Sequence, residues 1–227
     1  MNQNSSFSKL CLLLWIVFPS TGFSQASQEF ISNPSFEGEP QKGLYWNDSN
    51  SNKFLEPWTD CGKSLFPHES RPDIFPINER IPKIEASNGN TYVALVVRDN
   101  CSWEEISQKL MHTLEEGHCY SFTIDLAKAN PYLAASRFKE PKPEYNYNKS
   151  VNLRIWGGID YCEEFELLYV SPPVDNEEWQ SYEVNIHPES DITHISLQAY
   201  YIDESEPYNG NILIDNISQF IIVDCNE

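Results

Sequence analysis

The sequence predicts an all-β protein built from antiparallel strands. Runs rich in β-branched and aromatic residues recur at short spacing from residue 91 onward. The runs at 121–126 and 196–201 alternate apolar and polar residues with a period of two, as half-buried antiparallel strands do. Many short strands in a chain of 227 residues indicate a sandwich or a barrel.

Eight strands are predicted in the order of the chain. They cover residues 91–98, 106–110, 119–126, 151–156, 165–170, 180–186, 193–202 and 212–223. Segment 103–116 also permits a helix, but its apolar residues Ile106, Leu110 and Leu114 fit strand pieces, and the neighbouring strands favour that interpretation. Segments 39–84 and 130–150 are poorly periodic and are predicted to be long loops.

The last predicted strand contains a charged residue. Asn209-Gly210 is a tight-turn signal, and the run after it is apolar and β-branched. Asp215 interrupts that run. Because burying a lone carboxylate costs free energy, we expect a metal ion or a group of backbone N–H donors beside it.

Residues 1–25 have the pattern of a secretory signal peptide. Lys9 precedes an apolar core at 10–18, and small residues follow Pro19. The apolar core is too short to span a bilayer, and no later stretch is long enough. We expect a secreted or cell-surface protein with one domain at 26–227. The formal charge of −19 disfavours nucleic acids and anionic membranes as partners.

Five cysteines lie outside the predicted signal peptide. In an exported protein they predict one or two disulfides and at least one free thiol. The connectivity cannot be deduced from the sequence, but Cys119 and Cys225 each lie at the edge of an apolar strand and are the favoured pair. Cys61 and Cys101 are the further candidates. The cysteine spacings contain no CxxC unit, which disfavours a zinc site.

Several short motifs occur together along the chain. They are Asn33-Pro34-Ser35-Phe36-Glu37, Pro57-Trp58, Pro72-Asp73, the stretch 89–95, Gly117-His118-Cys119-Tyr120 and the stretch 212–216. Their order resembles that in galactose-binding-like and carbohydrate-binding-module domains of exported proteins from gliding or gut-type bacteria. The resemblance covers nearly the whole mature chain and implies an antiparallel jelly-roll β-sandwich with two long loops.

The resemblance also implies a structural calcium ion. Such domains often bind Ca²⁺ between a glutamate of the first strand and an aspartate of the last, which correspond to Glu37 and Asp215. Oxygen atoms near Asn33, Ser35 and Asn90 would complete the shell, since Ca²⁺ takes six to eight oxygen ligands. In the alternative interpretation, Glu37 caps a turn and Asp215 accepts backbone N–H groups.

Glycan binding requires aromatic rings for stacking and polar groups for the hydroxyls. The two predicted loops contain both kinds of residue. The candidate ligand contacts are Tyr45, Trp46, Trp58, Arg71, Asp73, Arg98, Tyr145 and Tyr147. Trp156 and Trp179 lie in or beside strands and are assigned to the core.

The leading hypothesis is therefore a non-catalytic binding module with a glycan as its ligand. The alternative is a structural or adhesive surface protein that contacts other proteins. A glycan hydrolase is the least favoured hypothesis, because no catalytic motif is present. Adjacent glutamates, such as Glu104-Glu105 and Glu163-Glu164, point to opposite faces of a strand and do not make a catalytic pair.

Overall fold

The computed structural model describes residues 29–42, 55–77, 84–135 and 144–225. These residues form β-strands and one helix of four residues, and no helix among them is long and apolar enough to cross a membrane. The elements are β1 (Thr59–Asp60), α1 (Gly62–Leu65), β2 (Asp73–Phe75), β3 (Tyr92–Val97), β4 (Glu105–Leu114), β5 (Cys119–Ala127), β6 (Leu133–Ala135), β7 (Glu144–Asn146), β8 (Asn152–Gly158), β9 (Glu166–Val170), β10 (Gln180–Ile186), β11 (Ile192–Tyr200), β12 (Gly210–Asp215) and β13 (Ile221–Val223).

Two antiparallel sheets pack face to face. One has the strand order β1-β4-β11-β8-β9, and the other has the order β10-β5-β12-β3-β2, with β13 also paired to β5. This arrangement confirms the predicted jelly-roll sandwich and the strand assignment of 106–110. Two expectations were wrong in detail. Segment 212–223 forms two strands, because Asn216 has a φ of +51° just after β12. The segments predicted to be long loops also contain short strands.

The core lies between the sheets, and the period-two pattern of the strands determines which residues point into it. Leu197 of β11 is opposite Ile106 of β4 and Ile155 of β8, and all three are buried in it. Burying each such side chain contributes about 1.5–3 kcal/mol. Because successive side chains alternate between the faces of a strand, the residues next to these three along β4, β8 and β11 point to the other side of the five-stranded sheet.

A second apolar cluster lies on the opposite side of the six-stranded sheet. Tyr92 of β3 and Leu213 of β12 pack there with Tyr132 and Tyr147, which flank the β6–β7 pair. Both sides of the six-stranded sheet are therefore packed, as the fully buried strand β12 also shows.

Two disulfides connect distant parts of the chain. The bond between Cys119 and Cys225 confirms the favoured pair, whereas Cys61 is bonded to Cys162. The assignment of Cys101 as a disulfide candidate was wrong, because this residue lies exposed in a turn after β3 and its thiol is free. The predicted signal peptide lies outside the described residues.

Candidate functional site

The side of the five-stranded sheet that points away from the core is termed the outer face. Two rows of side chains cross its strands β4, β11 and β8. The rows are Glu105, Gln198, Arg154 and Ser107, Ser196, Trp156. Directly opposed residues of antiparallel strands share a face, so these six side chains lie together. The two on β8 are partly exposed, and the other four are buried.

Gln198 lies at the centre of the outer face and holds three other side chains. Its amide nitrogen donates to Glu105 Oε2 at 2.9 Å and to Glu164 Oε1 at 2.7 Å. Its carbonyl oxygen accepts the indole N–H of Trp156 at 3.1 Å. One fully buried amide therefore fixes two carboxylates and an indole ring relative to one another.

Glu105 is a buried carboxyl group with incomplete hydrogen bonding. Its side chain is 0 % exposed, and its Oε1 has no hydrogen-bond partner among the described residues. Burial raises the pKa of Glu105 to about 7, and the charge of Glu164 adds to this increase, whereas the hydrogen bond from Gln198 lowers the pKa. Interactions with the side chains of Ser196 and Glu164 also affect this pKa, and the buried Oε1 is not accessible to a surface ligand.

Trp156 lies beside this carboxyl pair and is only partly buried. Among the described residues, no aromatic ring or cation stacks on it, whereas the Arg154 guanidinium covers Tyr200 at 3.4 Å from the ring centroid. Leu167 and Val170 of β9 lie opposite Trp156 and Arg154 and are 44 % and 45 % exposed. The outer face thus combines an aromatic and apolar strip with anionic acceptors.

The loop between β8 and β9 brings Glu164 over the sheet. The disulfide between Cys162 and Cys61 attaches this loop to the chain next to β1. Within the loop, Glu163 Oε2 accepts two backbone N–H groups at 2.8 and 3.2 Å, and Tyr161 packs edge-on against a histidine of β11. The position of Glu164 is therefore fixed from three sides.

The structure does not gather the predicted ligand contacts into a surface site. Tyr45 and Trp46 lie outside the described residues. The remaining candidates are buried or partly buried, namely Trp58, Arg71, Asp73, Arg98, Tyr145 and Tyr147. Trp58 is 2 % exposed and stacks on Phe36 in the core, with 5.2 Å between ring centroids. Tyr145 and Tyr147 pack in the second cluster.

The charged candidates take part in buried polar contacts. Arg98 contacts Glu69, with 3.4 Å between Nε and Oε2, and also Glu104, and these three residues are termed the Arg98 cluster. In the same region Arg71 lies 3.8 Å from an Asp60 oxygen, and Asp73 accepts the Tyr132 hydroxyl at 2.7 Å. These charged groups contact one another inside the sandwich and do not face a surface ligand.

The residues predicted to bind calcium lie around the 87–91 turn, and Asn33, Ser35, Glu37, Asn90 and Asp215 are termed the turn site. Glu37 Oε1 accepts the backbone N–H of Asn90 at 2.7 Å, and the Glu37 N–H donates to Asn33 Oδ1 at 2.7 Å. Ser35 donates to Asn88 Oδ1 at 3.0 Å. A Cβ at Gly89 would lie 2.0 Å from Glu37 Oε1, so the turn requires glycine there.

Asp215 closes the turn site from the end of β12. Its carboxylate accepts the N–H groups of Asn88 and Asn216 at 2.9 and 2.7 Å, as the alternative to calcium proposes. Burial nevertheless raises the pKa of Asp215 to about 6, and the charge of Asp125 adds to the shift. Among the ion pairs of the described residues, none includes Glu37, Asp125 or Asp215. Both carboxylates of the turn site thus accept backbone N–H groups, as the alternative to calcium describes, and they have no cationic side chain as an ion-pair partner within the described part of the chain.

The assignment of Trp156 to the core was wrong. The sequence contained the signal for its true position, because Leu153 and Ile155 alternate with it along β8 and point inward. Glu164 could not be found this way, since it lies in a loop and reaches the sheet only through the tertiary structure.

Comparisons with known proteins show similarity in fold. No protein-family model and no curated protein matches the sequence. A cyclase from Fischerella sp. TAU is 11% identical with a TM-score of 0.52, over 88% of this chain and 98% of the cyclase. The Stig cyclase Fisc from the same organism, solved with an indole compound, is 13% identical with a TM-score of 0.50, over 87% of this chain and 98% of Fisc. The CBM22-1 xylan-binding domain from Paenibacillus barcinonensis is 12% identical with a TM-score of 0.45, over 89% of this chain and 99% of that domain.

The comparisons with the two cyclases support the fold described above. At these identities they show the fold alone, and one fold supports unrelated activities. The function must be argued from the residues of the outer face.

Proposed function

We propose that this protein is an exported, non-catalytic binding module that recognises a glycan on its outer face. The observation that carries the proposal is the partly exposed Trp156 beside two carboxyl groups that Gln198 holds in place. Sugars present flat C–H faces and hydroxyl donors, and this surface offers a ring for the first and acceptors for the second. The disulfides suit an oxidising compartment outside the cytoplasm.

Recognition would require little rearrangement of the protein. A sugar ring stacks on Trp156 and places hydroxyl groups near Glu164, the exposed member of the carboxyl pair. Hydrogen bonds from Gln198 and the indole already fix these groups, so less conformational entropy is lost on binding.

Trp156→Ala is expected to weaken binding to the recognised polysaccharide by about tenfold to a hundredfold, because the ring supplies most of the apolar contact. Affinity electrophoresis against a panel of neutral, amino and acidic polysaccharides would measure the change. Tyr145→Ala is the matched control, since this partly buried tyrosine lies on β7, away from the outer face. The site assignment is wrong if Tyr145→Ala abolishes retardation and Trp156→Ala does not.

A second candidate function, protein contact, has its own supporting observation. Exposed apolar side chains cluster in the β8–β9 loop and on β9, which lies at the edge of its sheet. They are Ile159, Tyr161, Phe165, Leu167 and Val170. Sedimentation of the pure domain tests this candidate, since concentration-dependent self-association without any glycan binding would favour it.

Hydrolysis receives less support from the same carboxyl pair. A general acid must reach the glycosidic oxygen within hydrogen-bonding distance. Glu105 is fully buried beneath its neighbours, and only Glu164 is exposed. The pair therefore suits recognition better than bond cleavage.

We propose calcium as a structural ion at the turn site, where Glu37 and Asp215 would hold it together with oxygens of the 87–91 turn. Its charge would neutralise carboxylates that lack a cationic partner among the described residues. Calcium at about a hundred times its dissociation constant is expected to stabilise the fold by about 2.7 kcal/mol, and EDTA should lower the melting temperature. Asp215→Asn should abolish the response, whereas Asp175→Asn, at an exposed aspartate, should retain it. An EDTA-insensitive wild-type protein would refute the calcium proposal.

A further inference from the structure

We propose that Cys119, His187 and Cys225 bind a zinc ion when the disulfide between the two cysteines is reduced, and these three residues are termed the disulfide site. Their ligand atoms, two sulfurs and an imidazole nitrogen, all lie within 4.8 Å of one another. Thiolate and imidazole are the ligands that zinc prefers in proteins. No such group of three is found at the Cys61–Cys162 disulfide within the described residues. This inference is independent of the glycan proposal.

Three strands of the six-stranded sheet bring the disulfide site together. β10 pairs with β5 up to the residue before His187, and β13 pairs with the start of β5 from the other side. The Gly117 N–H donates to the Pro188 carbonyl at 2.9 Å, so the backbone on both sides of His187 is held against β5. The cysteine spacing in the sequence gives no sign of this site, because its ligands come from distant segments of the chain.

The disulfide site lies in an open groove of about 590 Å³. His187 and Cys225 are exposed and Cys119 is half-buried, so a reductant and a metal ion can reach the sulfurs from solvent. The exposed side chains of Glu183 and Asp224 line the same groove, and its described lining contains no lysine or arginine. The local charge therefore attracts a divalent cation to the sulfurs.

Reduction of the disulfide supplies the two sulfur ligands. Two molecules of a small thiol give two electrons and two protons to the S–S bond, which yields two cysteine thiols and the disulfide of the reductant. Each cysteine then loses its proton as its sulfur binds Zn²⁺, and the imidazole of His187 supplies the third ligand. Water from the groove takes the fourth position. The other disulfide is more protected from a reductant, because Cys61 is 0 % exposed.

The bound ion takes over the structural role of the disulfide. The bond between Cys119 and Cys225 spans 106 residues and attaches the segment after β13 to the start of β5. Reduction breaks this cross-link, and zinc joins the same two cysteines again. Metal binding to the folded state then stabilises it by mass action. The protein thus keeps this connection in both oxidising and reducing surroundings.

Metal titration of the mature protein tests the proposal, in a Cys101→Ser background that removes the free thiol. A water-soluble phosphine reduces the protein under native conditions and is removed under inert gas. We expect the reduced protein to bind one equivalent of Zn²⁺ and to gain thermal stability from it. Cd²⁺, used as a probe, should give the ultraviolet charge-transfer absorption of thiolate ligands. The oxidised protein should show none of these responses.

His187→Ala should weaken Zn²⁺ binding by the reduced protein at least about tenfold, because it removes one of three protein ligands. His118→Ala is the matched control and should change the affinity less than about twofold. His118 is also exposed and directly precedes Cys119, but its Nδ1 lies 3.7 Å from Glu115 Oε2. An equal loss in both variants would overturn the assignment of His187 as a ligand.

Two further outcomes would overturn the proposal. One is Zn²⁺ binding of the same strength by the oxidised protein, since the disulfide would then not control the site. The other is a lack of binding after reduction. If the reduced protein unfolds before metal is added, refolding from urea with and without Zn²⁺ makes the same comparison, and recovery that does not depend on Zn²⁺ would contradict the inference.

Discussion

Arg98→Met is expected to lower the free energy of unfolding by about 3–5 kcal/mol, because it removes the positive charge from a buried ion cluster. Arg98 is 2 % exposed and contacts both Glu69 and Glu104, which are also buried. The substitution keeps most of the side-chain volume but leaves two carboxyl groups in a medium of low polarity. Urea unfolding followed by tryptophan fluorescence would measure the loss.

Arg154→Met provides the matched comparison. Its partner Glu204 is 62 % exposed, and such a surface pair contributes only about 0–1 kcal/mol. Adding Glu104→Gln to Arg98→Met should recover part of the stability, since burial raises the pKa of Glu104 to about 8 and an amide avoids the cost of protonating the carboxyl on folding. If Arg98→Met costs no more than Arg154→Met, the Arg98 cluster does not depend on its central charge, and this account of it is wrong.

The long strands could be predicted because their signal is local. The predicted strand at 180–186 coincides with β10, and the run at 119–126 matches β5 to within one residue. The short strands could not be predicted, because β1 and β2 have only two and three residues and depend on partners far along the chain. Thr59, for example, pairs with Ser107.

The candidate site was harder to predict than the fold, because burial is a tertiary property. Arg98 and Trp58 look like surface residues in the sequence, since one is charged and the other follows a proline in a polar segment. Resemblance to a fold placed Glu37 and Asp215 at the same turn, because it supplies information about distant residues, and calcium at that turn stays a prediction. No local pattern relates Glu105 to Glu164, whose contact with Gln198 depends on a disulfide-linked loop.

Replacing Cys61 and Cys162 with serine, in a Cys101→Ser background that prevents exchange with the free thiol, is expected to reduce stability by about 4–5 kcal/mol. The bond joins cysteines that are 101 residues apart in the sequence, and its loss increases the conformational entropy of the unfolded chain. The change should also release the β8–β9 loop, so Glu164 would lose its fixed position over the outer face. We therefore expect weaker glycan binding even under conditions in which the variant remains folded.

The second disulfide separates these two effects. Replacing Cys119 and Cys225 in the same background removes a bond across 106 residues, so the expected loss of stability is similar. Because that bond lies at the start of β5 in the other sheet, the outer face should keep its affinity for the glycan. Urea unfolding and calorimetric titration of both variants make the comparison. Equal affinities in the two variants would show that the Cys61–Cys162 bond stabilises the sandwich without positioning Glu164, and ligand recognition would then depend on Trp156 and the sheet alone.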